Sequence, residues 1–406
     1  MHIAVLSDPA NFHTQKWVKA LLDAGVRVTV FSFFDYQIPG VACVKIEPGY
    51  TLRGRLTYGS YLYTTDALKK ALVEHKVDLV NPINITPFGV WASRAGVGPI
   101  VSIAMGADIL EYAPTDDQRI PPDRSWNSNN LGKTRMLNKA VYELKWRRFR
   151  KHVKHALETS DMIIGDNLEL IKAMKNWFAI PQGKLRLNRW GIEEELFELS
   201  PKQEGDLRKK FQIRDWQRVI VSPRGLKPVY QGDLVLEAFE RLLRRGVRDA
   251  KLIMLSAGYD VPQELDKKAR ELDQQFDNFY YESDLLKREE MCQLWMLADA
   301  IISVPVYDGY SNSLSEARYA GAIPIVNNIP AHREILTHDE HGWMVDPLSP
   351  EHLADAILEI MVNMDERKAR YASKNRPWIL EHAHLANNIR QFVEACKRIL
   401  QKQKPS

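Results

Sequence analysis

Two carboxylates flank a short polar stretch in the C-terminal half of the sequence. The stretch "DGYSNSLSE" runs from Asp308 to Glu316 and directly follows the apolar run 300–307. Ser311 and Asn312 are residue types that cap helices, so the pattern predicts a strand, a turn and the start of a helix. A helix N-terminus offers amide groups and partial positive charge to a phosphate. Acceptor groups on both sides of that phosphate suit a sugar joined to a nucleoside diphosphate.

The same stretch also has a purely structural alternative. Ser311 would then only cap the helix, and Glu316 would only favour the positive end of the helix dipole. The stretch in isolation leaves both interpretations open, and its context is needed to choose between them.

Apolar runs alternate with helical patterns along the whole chain, which predicts two doubly wound α/β domains. In the first half the predicted strands are 1–6, 26–33, 77–80, 100–104 and 162–165. In the second half they are 219–222, 252–256, 278–281, 300–304 and 323–326. A chain of 406 residues is also long for one domain. We expect a Rossmann-like domain over 1–197, a second over 198–379, and a C-terminal helix, 380–406, that packs back onto the first.

Composition excludes several classes of protein. The net charge of +4 is small for this length and argues against nucleic-acid binding. Cys43, Cys292 and Cys396 form neither a disulfide framework nor a metal-ligand spacing, so a cytoplasmic protein is expected. The start "MHIAVLSDPANF" turns polar too early for a signal peptide, and no apolar run reaches the length of a membrane span. No Gly-x-Gly-x-x-Gly follows the first strand, which disfavours a dinucleotide oxidoreductase.

The region after Asp308 resembles the family-four retaining glycosyltransferases (glycosyl transferases group 1), whose fold is GT-B. The family pattern is an acidic residue, seven residues, a Glu, then "EA-x-x-x-G-x-P-V" and "G-x-x-x-x-P". The residues in those places are Glu316, Ala317, Gly321, Pro324, Glu334, Gly342 and Pro347. Asp308 stands where most members have a Glu. The resemblance implies two Rossmann-like domains that face each other across a cleft.

The resemblance extends upstream over most of the chain. "PRGLKPVYQGDLVLEAF" is similar to the family's phosphate-binding segment, with Arg224 in the arginine place. The lysine place is held by 230–232, and we expect the nearest cation, Lys227, to substitute. "RWGIEEELF" resembles the segment that joins the domains, and "MGADIL" resembles the "HG-x-D" turn. In that turn Met105 replaces the histidine, whereas Asp108 matches.

The resemblance assigns roles to these positions. Asp308 would hold the hydroxyls of the donor sugar, and Arg224 and Lys227 would stabilise the diphosphate, so these three form the catalytic set. Glu316 would take the ribose hydroxyls. The donor-binding set is Gly309, Tyr310, Ser311, Asn312, Ser313, Leu314 and Glu316. The acceptor-side candidates are His13 and Asp108. Alternatively, His13 is a structural or merely polar residue, and Asp108 caps its own turn.

The function implied is retaining sugar transfer, of hexosyltransferase type, from a nucleoside diphosphate sugar. A UDP-sugar is favoured and a GDP-sugar comes next, and the acceptor is a glycan, a lipid-linked sugar or a small molecule. Neither a metal nor a cofactor other than the donor is expected. Two alternatives stay open: a catalytically silent GT-B protein that binds or scaffolds partners, and a sugar-nucleotide 2-epimerase.

A basic segment, Lys145 to His155, lies in the first domain. Its sequence "KWRRFRKHVKH" places Trp146, Phe149 and Val153 on one helical face and the cations on the other. The segment is either an ordinary packed helix with a solvated basic face or a peripheral contact with the anionic inner face of a membrane.

Overall fold

The computed structural model describes residues 1–47, 51–52, 55–56, 61–110, 135–256 and 261–403. Of 51–52, 55–56, 135–146 and 403 it describes the backbone alone. The chain forms two compact units, one of Met1–Arg189 with Leu385–Ser406 and one of Trp190–His384. The sequence had placed these boundaries at 197/198 and 379/380.

The first unit is built on parallel strands that are largely buried. Its described strands are β1 (His2–Leu6), β2 (Arg27–Ser32), β3 (Ala42–Lys45), β4 (Thr51–Leu52), β5 (Arg55–Leu56), β6 (Leu79–Pro82), β7 (Val101–Ala104), β8 (Met162–Gly165) and β9 (Leu185–Leu187). One sheet has the order β3-β2-β1-β6 and another the order β7-β8-β9. Parallel bridges from Val80 to Ile100 and from Ile83 to Ile103 connect them. Strands β4 and β5 form a separate antiparallel pair.

Helices cover the strands of the first unit. Those described are α1 (Phe12–Asp23), α2 (Thr65–Glu74), α3 (Val90–Ala95), α4 (Ala107–Leu110), α5 (Arg135–Thr159), α6 (Leu168–Phe178) and, from the C-terminus, α15 (Leu385–Gln403). Helix α15 packs on α1, where the rings of Trp17 and Phe392 meet edge to face at 4.9 Å. The indole of Trp17 also donates to Asn81 Oδ1 at 2.9 Å, which fixes α1 to β6.

The second unit has one parallel sheet with the strand order of a nucleotide-binding fold. Its strands are β10 (Arg218–Ser222), β11 (Ala250–Leu255), β12 (Phe279–Glu282), β13 (Ala300–Ser303), β14 (Ile323–Asn327) and β15 (Trp343–Val345). Their order is β12-β11-β10-β13-β14-β15. The chain therefore reverses direction across the sheet between β10 and β13, and such a switch point is where open α/β sheets bind ligands.

The helices of the second unit bury both faces of that sheet. They are α7 (Pro201–Lys210), α8 (Gly232–Arg244), α9 (Gln263–Gln275), α10 (Arg288–Leu297), α11 (Asn312–Ala320), α12 (Pro330–Ile335), α13 (Pro350–Met361) and α14 (Met364–His382). One apolar core contains Leu236, Phe239 and Ile302, and the other contains Trp295, Ile301 and Leu314. None of the described helices in either unit is long and apolar enough to span a bilayer.

The C-terminal helix begins later than the sequence predicted. A single helix over 380–406 is wrong, because α14 ends at His382 and α15 begins at Leu385. Between them Ala383 has the non-helical angles φ −143° and ψ 41°. Its carbonyl accepts a hydrogen bond from the amide of Ile192 at 2.9 Å, so this chain segment forms an isolated parallel bridge with a distant segment instead of continuing the helix.

Candidate functional site

The predicted donor residues lie at the switch point of the second unit. Arg224 follows the end of β10, and Asp308 follows the end of β13. These two strands are direct neighbours, with Ile220 opposite Ala300 and Val221 opposite Ile301. Because the carboxyl ends of parallel strands share one edge of the sheet, the fold brings together two side chains that are far apart in the sequence.

Arg224 connects the carboxylate of Asp308 to the start of the following helix. Its Nη2 lies 3.1 Å from Asp308 Oδ1 and 3.0 Å from Oδ2, and its Nη1 donates to Ser311 Oγ at 2.8 Å. The guanidinium also lies over the ring of Tyr230, 4.3 Å from its centroid. Both charged side chains are partly accessible, at 17% for Arg224 and 13% for Asp308, so a ligand can reach them.

Helix α11 presents its N-terminus at the same place. Ser311 is the N-cap, and its hydroxyl accepts from the amide of Leu314. The next two residues, Asn312 and Ser313, are half-buried, and amides in a first turn have no partner within their own helix. Together with the guanidinium, this helix end carries positive potential of the kind that favours an anion.

Two of the predicted donor-binding residues pack into the apolar core, and a third has no side chain. Tyr310 and Leu314 belong to the apolar core beneath α11 and are buried. Gly309 has no side chain, and its amide donates to Asp308 Oδ1 at 2.9 Å. The side chains that face the site are thus fewer than the motif alone suggested.

Glu316 lies one turn into α11 and forms an ion pair that the sequence did not reveal. Arg288, the first residue of α10, donates from Nη1 to Glu316 Oε2 at 2.9 Å and from Nη2 to Oε1 at 2.6 Å. Its Nε donates to Glu193 Oε2 at 3.2 Å. Burial opposes the charge of Arg288, yet the carboxylate of Glu316, with that of Glu193, raises the pKa of the guanidinium above its ordinary value.

Arg288 was missed because "LLKREEM" has the character of an exposed, charged helix start. The sequence signal for Arg288 is indirect, through Glu193 in the "GIEEELF" segment that resembles the family. The structure buries this carboxylate, and a buried carboxylate needs a cation beside it.

Lys227 is half-buried and directly precedes the 3₁₀ turn Pro228–Tyr230, where its carbonyl accepts from the amide of Tyr230 at 2.9 Å. Residues 230–232 hold the lysine place of the family motif, and among them Tyr230 places its ring beneath the guanidinium of Arg224. Whether Lys227 substitutes for that lysine stays a prediction.

A buried histidine adjoins this site and was also missed. His332, on α12, is 1% exposed, and its ring Nδ1 lies 3.0 Å from the carbonyl oxygen of Asn327. A carbonyl can only accept, so Nδ1 carries the proton. Burial lowers the pKa of His332 to about 4; the Asn327 carbonyl and the charge of Asp308 oppose this shift, while nearby arginines reinforce it.

The acceptor-side candidates lie in the first unit, each after the end of a strand. His13 is the second residue of α1 and half-buried, and its backbone amide donates to Asn11 Oδ1 at 2.8 Å. Asp108 is 7% exposed, and its carboxylate accepts from the amide of Ile85 at 2.6 Å and from that of Met105 at 2.9 Å. These contacts match the turn-capping alternative for Asp108.

The basic segment forms part of α5. Val153 is buried, and Arg150 donates to the carbonyl of Trp177 and lies over the ring of Phe178, at 4.6 Å. The side chains of Lys145 and Trp146 lie outside the described residues. The exposed members of the segment are Arg147, Arg148, Lys151, Lys154 and His155. Across the side chains that the structure describes, no three His, Cys, Asp or Glu residues group as metal ligands.

Comparisons with known proteins agree for both parts of the chain. Residues 203–378 match the family model for glycosyl transferases group 1, and residues 2–130 match that for glycosyl transferase 4-like proteins. None of the curated protein sequences compared with the chain matches it.

Solved structures of low identity share the fold along the whole length. A glycosyltransferase from Rickettsia africae is 13% identical, with 99% of each chain covered and a TM-score of 0.72. Anabaena HepE, solved in complex with UDP-glucose, is 14% identical, with 98% of this chain and 100% of that one covered and a TM-score of 0.73. Sucrose-phosphate synthase from Thermosynechococcus elongatus is 14% identical, with 99% of this chain and 100% of that one covered and a TM-score of 0.73.

These findings confirm the predicted fold class, two Rossmann-like units of the GT-B type, and they identify residues 203–378 as a glycosyl transferases group 1 domain and residues 2–130 as a glycosyl transferase 4-like domain.

Proposed function

We propose that this glycosyltransferase moves a hexosyl group from a nucleoside diphosphate sugar to an acceptor hydroxyl and retains the anomeric configuration. The observation that carries the proposal is the contact of Arg224 with both Asp308 and Ser311 at the N-terminus of α11. UDP-sugars are the favoured donors and GDP-sugars come next. In support, HepE was solved with UDP-glucose.

The charges of the site suit a diphosphate that becomes more negative during the reaction. Arg224 and the first amides of α11 supply positive potential where the leaving group sits, which is usually the largest contribution to catalysis of this kind. Lys227 is the proposed second cation. Asp308 then accepts from sugar hydroxyls, and Glu316 from ribose hydroxyls.

The proposed step breaks the bond between the anomeric carbon and the β-phosphate oxygen, and the bonding electrons leave with the phosphate. The acceptor oxygen forms the new bond on the same face of the sugar. Its proton passes to the departing phosphate, so no protein nucleophile is needed. The donor is the one small molecule that this scheme requires, without a metal or other cofactor.

We assign the acceptor, a glycan, lipid-linked sugar or small molecule, to the first unit. His13 remains a candidate contact there. The exposed cations of α5 are compatible with a peripheral contact to an anionic membrane, which would bring the enzyme to a lipid-linked acceptor.

Donor hydrolysis in the absence of acceptor tests the proposal. We expect the wild-type protein to release UDP from a UDP-sugar, or GDP from a GDP-sugar. Asp308→Ala and Arg224→Ala should each lower this rate about 100- to 1,000-fold, the usual effect of removing one group that stabilises the transition state.

An exposed ion pair in the same unit supplies matched controls. Arg245 Nη1 lies 2.7 Å from Asp355 Oδ1, and both side chains are exposed. Arg245→Ala and Asp355→Ala should leave hydrolysis unchanged. Binding of UDP without any turnover would favour the silent GT-B alternative, and a 2-epimerised sugar nucleotide as product would favour the epimerase. A wild-type protein that neither binds nor cleaves these donors would refute the proposal.

A further inference from the structure

Arg288 fixes the orientation of the carboxylate at the proposed ribose site. Both guanidinium Nη atoms contact Glu316, one on each carboxylate oxygen, at 2.9 and 2.6 Å. Such a two-point contact defines the plane of the carboxylate, which a lysine ammonium cannot do. The Glu316 side chain is 4% exposed and that of Arg288 17%, so water competes little for this contact.

Glu193 holds the other side of the same arginine. Its Oε2 accepts from Arg288 Nε at 3.2 Å, and its side chain is 8% exposed. The guanidinium is therefore held at two edges, by one carboxylate from the chain segment before α7 and one from α11. Rotation of the guanidinium would break both contacts. The plane of the guanidinium, and with it that of the paired Glu316 carboxylate, is therefore fixed before any ligand binds.

The pair leaves Glu316 able to bind a ligand. An ionised carboxylate offers about four acceptor positions, and a two-point arginine contact uses about two of them. The remaining positions match in number the two neighbouring hydroxyls of a ribose. Arg288 also offsets the charge of a buried carboxylate close to the diphosphate site, which would otherwise repel the ligand.

We infer that Arg288 is a positioning residue, which orients Glu316 so that the site distinguishes a ribonucleoside diphosphate from its 2′-deoxy counterpart. The inference rests on the proposed function, because it assumes that Glu316 binds ribose. Arg288 itself touches Glu316 and Glu193 and need not contact the nucleotide.

The ratio of the dissociation constants of 2′-deoxy-UDP and UDP, measured by calorimetry, tests the inference. In the wild-type protein we expect a ratio of roughly 10 to 100, the effect of losing one hydrogen bond to a charged group. Arg288→Lys keeps the positive charge but loses the planar contact, so the ratio should fall at least about threefold. A purely structural role would weaken both ligands equally and leave the ratio unchanged.

Arg218→Lys is the matched control. Arg218 contacts Asp365 at two points, both at 2.7 Å, but it begins β10 and so lies at the opposite end of the sheet. Its substitution should leave the ratio at the wild-type value. If Arg288→Lys fails to fold, Glu193→Ala carries the test, because it removes the acceptor at one edge of the guanidinium and leaves Glu316 paired. The ratio should again fall.

The outcomes separate this inference from the proposed function. A wild-type protein that binds UDP and 2′-deoxy-UDP equally overturns the inference and leaves nucleotide binding intact. An unchanged ratio in folded Arg288→Lys also overturns it. A wild-type protein that binds neither ligand overturns the proposed function as well.

Discussion

At the scale of single residues, the site is held together by side chains that each serve two neighbours. Arg224 contacts both Asp308 and Ser311, and Arg288 contacts both Glu316 and Glu193. A charged group that is largely enclosed and paired on two sides has little freedom to move, so these side chains are already in position before a ligand binds.

His332 makes the stability of the protein depend on pH. The folded protein holds its pKa at about 4, whereas the ordinary value of 6.5 applies to the unfolded chain. Between these two pKa values the unfolded chain binds more protons than the folded protein. The contribution of the neutral His332 to stability is therefore complete above pH 6.5 and is lost as the pH falls toward the pKa of the folded protein, about 4. This residue alone should lower the free energy of unfolding by about 2 kcal/mol between pH 7 and pH 5.

Urea denaturation at pH 7 and pH 5 checks this prediction. His332→Asn removes the titrating group but retains an amide that can donate to the Asn327 carbonyl, so the loss between the two pH values should shrink by about 2 kcal/mol. The exposed His352 is the control, and His352→Asn should keep the wild-type difference. An equal pH dependence in His332→Asn and wild type would show that this imidazole is not the cause.

The sequence identified part of this site. Asp308, Glu316 and Arg224 stand in recognisable spacings, and the structure brings Asp308 and Arg224 together although 84 residues separate them. Arg288 and His332 were not recognisable, because their importance comes from burial and from partners on other elements. No local pattern encodes such contacts.

At the scale of elements, the loop between β10 and α8 has to turn sharply to place Arg224. Gly225 has φ +73°, and a Cβ there would lie 2.6 Å from the carbonyl oxygen of Ser256. Gly232, at the start of α8, would place a Cβ 2.4 Å from Leu226 Cα. The backbone is packed closely at both ends of the loop, so its glycines are needed for space as well as for conformation.

Gly225→Ala should therefore slow donor hydrolysis. Gly246→Ala is the control, because it tests the effect of a positive φ without a steric clash. Gly246 has a similar φ of +81°, but nothing lies within 4 Å of its Cβ position. Gly246→Ala should cost about 1–2 kcal/mol of stability and leave donor hydrolysis unchanged. Gly225→Ala adds the clash with Ser256, so we expect its loss of stability to exceed that of Gly246→Ala by about 2 kcal/mol. Donor hydrolysis should be at least tenfold slower.

Urea denaturation and hydrolysis rates on the two variants decide between these expectations. Equal stability and equal rates for Gly225→Ala and Gly246→Ala would mean that the loop relaxes freely and that its shape does not position Arg224.

Elements that form a clear apolar run in the sequence were predictable, whereas short or partly exposed elements were not. Strand β8, Met162–Gly165, matches its predicted bounds, since it is a fully buried apolar run. Strand β3 is partly exposed and β9 has three residues, so neither stands out in the sequence. The break at Ala383 was missed because the backbone pairing with Ile192 that causes it comes from a distant segment.

At the scale of the whole molecule, the two units have separate cores and separate buried thiols. Cys396 lies on α15 in the first unit, and burial raises its pKa to about 12. Cys292 is fully buried in the second unit, on the same helix as Arg288. Cys43 is half-buried. A thiol reagent should therefore modify Cys43 in the native protein and reach the other two cysteines only after their units open.

Labelling along a urea gradient then locates the donor site. A nucleoside diphosphate at about 100 times its dissociation constant adds about 2.7 kcal/mol to the stability of the structure that binds it. With UDP present, the urea midpoint for modification of Cys292 should rise, while that for Cys396 should stay where it is without nucleotide. Mass spectrometry of the digested protein follows each cysteine separately.

Two results would contradict this expectation in different ways. A shift for Cys396 without one for Cys292 would place the nucleotide in the first unit and remove the role of α11. Equal shifts for both cysteines would mean that the units unfold as one cooperative structure, which two separate cores do not require. A shift confined to Cys292 requires that the units open independently and that the nucleotide binds to the unit in which Arg224, Asp308 and Arg288 lie.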